Sequence, residues 1–291
     1  MMNYYIIIPA HNEEAFIGLT LESIAKQTHL PKKVVIVNDN STDNTETIIQ
    51  KFANQHPWAS WITISSVATH LPGSKVIQAF QKGLALLDNE YDFIVKADAD
   101  LIFPTNYFET IQTHFQTDKR IGMAGGFAYI EKKGEWILEN LTDKDHIRGA
   151  FKAYRKETFK QIGELKPAMG WDTVDELLCK FYDWRVVTDA TLKVKHLKPT
   201  GVNYNKNARF KQGEAFYSLG YGFWITAIAS AKLAILKRKP LLFFDYMRGF
   251  WKAKMAKKPL LVTHEQAEFI KKYRWKTMKE KLFKGLKRGK C

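Results

Sequence analysis

Two aspartates one residue apart, Asp98 and Asp100, carry the clearest chemical signal in the sequence. They follow residues 93–96, Phe-Ile-Val-Lys, an apolar run typical of a buried strand. Carboxylates at such a strand end can hold Mg²⁺ or Mn²⁺, because these ions bind one or two carboxylates together with substrate phosphates. The cation would neutralise the charge that develops on a departing diphosphate. The pair therefore indicates a metal–diphosphate site.

Two further polar clusters follow the first and second predicted strands. Residues 9–14 read Pro-Ala-His-Asn-Glu-Glu, and residues 38–43 read Asn-Asp-Asn-Ser-Thr-Asp. Each cluster alone is also compatible with an ordinary turn or a helix cap, where Asn, Asp and Ser are common. Because ligands of an open α/β sheet bind at the carboxyl ends of its strands, we expect all three clusters to meet at one edge.

The elements that must position these clusters alternate between strand and helix. The predicted strands are residues 4–8, 34–37, 62–64 and 91–96, and the predicted helices are residues 13–27, 45–54 and 75–87. Such alternation with short loops predicts a parallel sheet with right-handed crossovers. Beyond residue 120 the pattern predicts a strand at 122–130, helices at 145–162 and 172–182, and a polar loop at 198–213.

The positive charge is confined to the end of the chain. The formal net charge is +15, and residues 232–291 contain 19 Lys and Arg against 4 Asp and Glu, so the rest is balanced. A segregated basic segment indicates an anionic surface as partner. The two cysteines, Cys179 and Cys291, form no disulfide framework, which suits a reducing compartment. The short apolar run at residues 4–10 predicts a strand and no signal peptide.

Four motifs together resemble the family 2 inverting glycosyltransferases of GT-A fold. They are residues 8–14, 37–43, 96–100 and 170–176, the last reading Gly-Trp-Asp-Thr-Val-Asp-Glu. The resemblance spans roughly residues 4–215. It implies an α/β fold of GT-A type, Rossmann-like, with a mostly parallel central sheet flanked by helices. The catalytic domain would be residues 1–215, and residues 216–291 would form a helical, basic extension.

The resemblance also implies roles for individual residues. Asp172 or Asp175 would be the general base, and the spacing favours Asp172. His196 would complete the metal site of Asp98 and Asp100, although it could also be an ordinary histidine at a strand end. The residues expected to bind the nucleotide are Pro9, Glu13, Asp39, Lys75, Asp98, Arg209 and Lys211. Of these, Arg209 and Lys211 could close over the diphosphate as a lid, or they could be solvated charges, and the same alternative applies to Lys75.

The sequence departs from the family pattern at three places. The second motif often begins Asp-Asp-Gly, but here it reads Asn38-Asp39-Asn40. Gln81 stands where many members have Asn, and Trp171 precedes Asp172 where the base motif is usually Glu-Asp. These departures bear on base recognition and on which carboxylate acts as general base.

The implied reaction transfers a sugar from a nucleotide-diphosphate sugar to a hydroxyl acceptor with inversion, by a single displacement. A nucleotidyltransferase-like enzyme is an alternative, but its phosphate loop after the first strand should be glycine-rich and basic. Here that loop is acidic, and its only glycine is Gly18. A nucleic-acid-binding protein would explain the basic tail, but the tail contains no recognised RNA or DNA module, so we expect no nucleic acid as partner.

The basic segment predicts attachment to a membrane surface. Residues 217–236 are mostly apolar, so a transmembrane helix is one reading, but Gly, Thr, Ser and Lys within them favour helices lying in the membrane interface. In residues 241–255 the apolar and charged side chains occupy separate arcs, although a helix facing a protein core would look similar. We therefore expect a cytoplasmic enzyme, peripheral at the inner face of the cell membrane, that uses a sugar or lipid-linked acceptor in polysaccharide or glycolipid synthesis.

Overall fold

The structure is a computed structural model that describes residues 1–66, 73–139, 145–198 and 210–288, with side chains up to residue 281. The chain divides into two compact units. The first comprises Met1–Pro167 and Trp171–Val202, and the second comprises Ala168–Gly170 and Asn203–Cys291. This division precedes the boundary expected after residue 215, and the assignment of catalysis and membrane binding to residues 1–215 and 216–291 stays a prediction.

The first unit is built on one mixed sheet. Its strands are β1 Tyr4–Ala10, β2 Lys33–Asp39, β3 Ala59–Ile64, β4 Phe93–Ala97, β5 Leu101–Ile102, β6 Ile121–Lys132, β7 Glu135–Leu138, β8 Phe151–Arg155 and β9 Arg185–His196. Their order is β3-β2-β1-β4-β8-β6-β9-β5, and β7 pairs with β6. The strands from β3 to β4 are parallel, whereas β8 pairs antiparallel with both β4 and β6. The predicted α/β fold is confirmed.

The helices of the first unit begin and end close to the predicted residues in the first hundred positions. They are α1 Ile17–Ala25, α2 Thr45–Gln55, α3 Ser74–Leu84, α4 Tyr107–Thr117, α5 Lys156–Gln161 and α6 Trp171–Phe181. All seven residues of β1 are buried, as expected for a parallel strand covered on both faces. A Cβ on Gly83 of α3 would lie 2.8 Å from Ile7 Cγ2 and 2.9 Å from Val37 Cγ2. The glycine thus lets α3 pack directly on the sheet.

The predicted helix at 145–162 is wrong. Residues 151–155 form β8, and only Lys156–Gln161 are helical, as α5. Phe151, Lys152, Ala153 and Tyr154 are all buried because β8 lies inside the sheet between β4 and β6. The charged residue Lys152 interrupts the apolar run of this strand, so the sequence alone does not indicate a buried strand here.

Strand β9 was not expected from the sequence, although its second half alternates. Leu192, Val194 and His196 are buried, and the residues between them are exposed, which is the period of a half-buried strand. The predicted loop at 198–213 lies mostly outside the described residues, and its last residues form the start of a helix. β9 brings His196 beside Leu101 of β5.

The second unit is helical in its described part. Its helices are α7 Lys211–Ser218, α8 Gly222–Leu236, α9 Leu241–Met255 and α10 His264–Arg288. The apolar run at 217–236 is divided between α7 and α8 at Gly220 and Gly222, whose φ angles are +72° and +71°. Glycine adopts such left-handed angles without a steric penalty. None of the helices in the described parts of the chain has the length and apolar character that crossing a bilayer requires.

Candidate active site

The polar clusters after β1 and β2 meet at the carboxyl edge of the sheet. Asp39 O lies 2.5 Å from His11 Nδ1, and Asn12 N donates to Ser41 Oγ at 3.0 Å. Parallel pairing of Ala10 with Asn38 puts the two strand ends side by side. Two of the three expected clusters therefore form one surface.

The turn after β2 explains one departure from the family pattern. Asn40 has a φ angle of +58°, a left-handed conformation that favours glycine and, after it, Asn and Asp. Asparagine is therefore a suitable residue where many family members have glycine. Asp39 is buried, and its Oδ1 accepts a hydrogen bond from Ser66 N at 3.1 Å. Pro9 is buried in β1 opposite Val37.

Asp98, Asp100 and His196, the three residues expected to hold a metal ion, lie close together. One ligand atom from each lies within 4.8 Å of the others, and His196 Nε2 is 3.4 Å from Asp100 Oδ2. The backbone holds this arrangement, because Leu197 N donates to Asp100 O at 2.9 Å. Two carboxylates and an imidazole form a donor set that suits Mn²⁺ and, through the carboxylates, Mg²⁺. The residues present therefore fit a divalent cation.

Glu139 adds a third carboxylate, which sequence reasoning missed. Its Oε2 lies 3.6 Å from His196 Nδ1 and 3.1 Å from Arg148 Nη2. Burial lowers the pKa of His196, but hydrogen bonds to Asp100 and Glu139 and the charge of Asp98 outweigh burial and raise it to about 9. A carboxylate behind a ligating histidine orients the ring and increases its basicity. Glu139 lies among several other charged residues in the sequence and has no fixed spacing to the motifs, so the sequence alone does not identify it.

Glu13 and Lys198 form a second polar pair at this edge. Lys198 Nζ lies 2.6 Å from Glu13 Oε2. Burial raises the pKa of Glu13, Lys198 lowers it, and the charges of Asp100 and Asp98 raise it, with a net increase. The charges of Asp98 and Asp100, the expected metal ligands, thus act on the expected nucleotide-binding glutamate. Lys198 was not predicted as a site residue.

The structure separates the two candidate bases, Asp172 and Asp175, by their surroundings. Asp175 is buried and accepts hydrogen bonds from Lys152 Nζ at 3.0 and 3.1 Å and from Tyr154 Oη at 2.6 Å. Its oxygens are thus already engaged inside the unit. The side chain of Asp172 is 37% exposed, and its Oδ2 lies 3.8 Å from His146 Nε2. Only Asp172 has a carboxylate open to an acceptor from solvent.

A buried lysine holds the first turn of α6 in place. Lys152 of β8 is fully buried, and its Nζ donates to Asp172 O at 2.5 Å as well as to Asp175. It also lies 3.0 Å from Glu176 Oε1. Burial raises the pKa of Asp175 against the attraction of Lys152, whereas Lys152 and His146 keep the pKa of Glu176 low despite burial. The turn that carries Asp172 is thus fixed by an internal ion-pair network.

Residues 5–169, more than half of the chain, match the sequence pattern named Glycosyl transferase family 2. The chain belongs to this family.

Curated relatives match only part of their length. The chain is 28% identical over 185 residues to an uncharacterized glycosyltransferase of Mycoplasma pneumoniae, covering 56% of each protein. It is 33% identical over 103 residues to the poly(ribitol-phosphate) beta-N-acetylglucosaminyltransferase TarS of Staphylococcus aureus, covering 34% of this chain and 16% of TarS. The chain thus spans about half the length, or less, of these two relatives.

Solved structures share the fold. The mannosyltransferase PcManGT of Pyrobaculum calidifontis, in complex with GDP-Man and Mn²⁺, superposes with a TM-score of 0.57 at 15% identity, covering 92% of this chain and 78% of that one. S. aureus TarS 1–349 with UDP-GlcNAc gives a TM-score of 0.56 at 16% identity, covering 80% and 67%. At these identities the likeness shows the fold alone, and it confirms the GT-A expectation.

The remaining basic residues expected to bind the diphosphate are Lys75, Arg209 and Lys211. Lys75 lies half-buried in the first turn of α3. Arg209 lies outside the described residues, and Lys211 is the first residue of α7, in the second unit. Their roles in binding the diphosphate, including the lid, stay predictions.

Proposed function

We propose that this chain transfers a sugar from a nucleotide-diphosphate sugar to a hydroxyl group with inversion at the anomeric carbon. The observation that carries the proposal is the convergence of Asp98, Asp100 and His196 at the carboxyl edge of a GT-A sheet. Membership of family 2 supports the reaction type. The nucleotide-sugar complexes of TarS and PcManGT, which contain UDP-GlcNAc and GDP-Man, support the donor class.

The donor side of the proposal rests on residues after β1, β2 and β4. Asp39 and Glu13 bind the nucleoside, and Lys198 keeps Glu13 in place through the contact of 2.6 Å. Asp98, Asp100 and His196 would hold Mg²⁺ or Mn²⁺. The cation, when bound, neutralises the charge that collects on the leaving diphosphate. His196, whose pKa is raised to about 9, would have to lose its proton before its imidazole could hold the cation.

The acceptor side rests on Asp172. Its carboxylate takes the proton of the acceptor hydroxyl while that oxygen attacks the anomeric carbon opposite the leaving group. Partial exposure of Asp172 and engagement of Asp175 support this choice. The acceptor class follows the relatives: TarS acts on poly(ribitol-phosphate), and another relative is the minor teichoic acid biosynthesis protein GgaA of Bacillus subtilis. We infer a cell-surface polysaccharide or a lipid-linked glycan as acceptor.

An anionic membrane surface is the proposed partner of the second unit. Exposed apolar side chains on α8 and α9 include Trp224, Ile235, Leu241, Phe244, Trp251 and Met255. Exposed Arg238, Lys252, Lys254 and Lys257 lie on or next to the same two helices. A cavity of about 430 Å³ lined by Ala231, Ala234, Ile235, Arg238, Pro240 and Phe243 opens on this surface. Near an anionic leaflet each Lys or Arg contributes about 1 kcal/mol of attraction.

The test of the reaction is a donor screen. Purified protein is incubated with UDP-, GDP- and dTDP-sugars, with Mn²⁺, Mg²⁺ or EDTA, and release of nucleoside diphosphate is measured. We expect release from one donor class with metal, its loss in EDTA, and loss in Asp100→Ala. Asp172→Asn should lose far more kcat than donor affinity, because the base acts only in the chemical step. Release of pyrophosphate from a sugar phosphate and nucleoside triphosphate would instead indicate a nucleotidyltransferase.

The test of the membrane surface is sedimentation with liposomes. We expect binding to vesicles with anionic lipid, release in high salt, and weaker binding when Lys254 and Lys257 are both changed to Glu. The control is the same charge change at Lys160 and Lys193, which are exposed in the first unit. Equal binding to neutral and anionic vesicles would contradict the electrostatic part of the proposal.

A further inference from the structure

His146 links the proposed base to a buried carboxylate. Its Nε2 lies 3.8 Å from Asp172 Oδ2, and its Nδ1 lies 3.1 Å from Glu176 Oε1. Asp172 and Glu176 are four residues apart in α6, so their side chains occupy the same face of the helix. The imidazole therefore connects two carboxylates on consecutive turns.

We propose that His146 is a positioning residue for the base Asp172 and receives at Nε2 the proton that Asp172 removes from the acceptor. The inference rests on the proposed function and adds a residue that the family resemblance did not supply. It names a proton route for the same site.

The tautomer of His146 follows from its surroundings. Glu176 Oε1 accepts a hydrogen bond from Ile147 N at 2.9 Å and lies 3.0 Å from the Lys152 ammonium, so it is held as a carboxylate. A carboxylate only accepts hydrogen bonds, so Nδ1 of His146 carries the proton and donates it to Glu176. In the neutral ring the free electron pair is then on Nε2, the atom that faces Asp172.

The need for such a route comes from the exposure of the two groups. With donor and acceptor bound, substrate covers Asp172 and excludes water from it. The side chain of His146 is 18% exposed, so it connects Asp172 with solvent. The separation of 3.8 Å exceeds a hydrogen bond, but catalytic hydrogen bonds often shorten only when substrate binds.

The step balances as follows. The acceptor oxygen forms the new bond to the anomeric carbon, and the bond from that carbon to the diphosphate oxygen breaks, with its electron pair leaving on the diphosphate. The acceptor proton moves to Asp172 Oδ2 and from there to His146 Nε2. His146 releases it to water after the product leaves, so the enzyme returns to its initial state.

The experiment uses the full chain with His146→Asn, His146→Gln and His146→Phe. The Asn amide can replace Nδ1–H as the donor to Glu176 but provides no base at the position of Nε2. We expect His146→Asn to keep Tm within about 1 °C of the parent while kcat for sugar transfer falls about 10- to 100-fold. Donor KM should change less than twofold. A purely structural role would predict that Asn rescues kcat along with Tm.

A double-mutant cycle separates a role through Asp172 from an independent effect. If His146 acts only through the base, His146→Asn costs no further activity when Asp172→Asn is already present. Additive losses would overturn the inference, as would wild-type kcat in His146→Asn, whatever the Gln and Phe variants do. His114→Asn is the matched control, because His114 pairs with Asp189 at 2.7 Å elsewhere in the same unit, and it should leave kcat unchanged.

The outcome also distinguishes this inference from the proposed function. If the unaltered chain releases no nucleoside diphosphate from any donor, the proposed function fails. If it transfers sugar and Asp172→Asn abolishes transfer while His146→Asn leaves kcat unchanged, only the proton route fails.

Discussion

Removing the buried ammonium of Lys152 is expected to destabilise the first unit strongly. Lys152→Met keeps most of the apolar volume of the side chain but leaves Asp175 and Glu176 buried without their cation. Lys152 is fully buried and donates to Asp175 at 3.0 and 3.1 Å and to Asp172 O at 2.5 Å. Breaking a buried ion pair by removing one partner costs about 3–5 kcal/mol. The unfolding free energy should fall by that amount at pH 8.

The loss should depend on pH in a definite direction. In the unaltered chain Lys152 is the main influence that lowers the pKa values of Asp175 and Glu176 against burial. Without Lys152 the pKa values of both carboxyls rise in the folded state, whereas in the unfolded state they stay at about 4. A carboxyl whose folded pKa is raised destabilises the fold as pH rises through that value. Lys152→Met should therefore lose less stability at pH 5, where its carboxyls take up protons, than at pH 8.

The assay is equilibrium unfolding in denaturant at pH 5, 6.5 and 8, with the melting temperature as a second measurement. Lys160→Met is the matched control, because Lys160 is exposed in α5, close to β8 along the chain, and it should change the unfolding free energy by less than about 0.5 kcal/mol. A loss below about 1 kcal/mol at pH 8 would refute the reasoning. An equal loss at pH 5 and pH 8 would show that packing of the methylene chain, and not charge, is the cause.

Two further perturbations test the site and its support. Asp100→Ala and His196→Ala should each weaken Mn²⁺ binding, measured by calorimetry, at least about tenfold with an unchanged fold. The exposed control Glu22→Ala should leave Mn²⁺ binding unchanged. For the unaltered chain, the affinity for Mn²⁺ should rise from pH 7 to pH 9, because the metal then no longer competes with the proton on His196. Gly149→Ala should cost about 1–3 kcal/mol and lower kcat, because its Cβ would lie 2.7 Å from the ring of the first residue of α6. Gly18→Ala, whose Cβ meets nothing closer than 3.8 Å, should be neutral or stabilising, and equal losses at both glycines would contradict the packing argument.

The first half of the sheet could be predicted because its signals are local. Each strand from β1 to β4 is a short apolar run followed by a polar turn, and parallel pairing brings those turns to one edge. Asp98, Asp100 and His196 were predicted together even though β9 was not, since the family resemblance supplied the histidine. The geometry then explained the choice: pairing of Leu101 with His196 places the imidazole next to Asp100.

The second half of the site could not be predicted because no local sequence pattern marks its residues. Lys152 interrupts the apolar pattern of β8, and Glu139 and His146 have no spacing relation to the motifs. Each is placed by tertiary contacts with partners far along the chain. The choice between Asp172 and Asp175 also required those contacts, because both lie in the first turns of the same helix and differ in exposure.

Trp171, the residue before the proposed base Asp172, lies close to side chains from both halves of the candidate site. Lys96 of β4 and Lys152 of β8 are direct neighbours across the sheet, and their ammonium groups lie 5.3 and 6.0 Å from the Trp171 ring. Lys96 bonds to Asp98, and Lys152 bonds to Asp172 O. Cations over an aromatic face are attracted by its quadrupole, and more strongly when desolvated. One ring thus lies near both the lysine that bonds to a proposed metal ligand and the lysine that bonds to the backbone of the proposed base. Because both lysines belong to adjacent core strands, the spacing between the proposed donor and acceptor sites is set by the sheet itself.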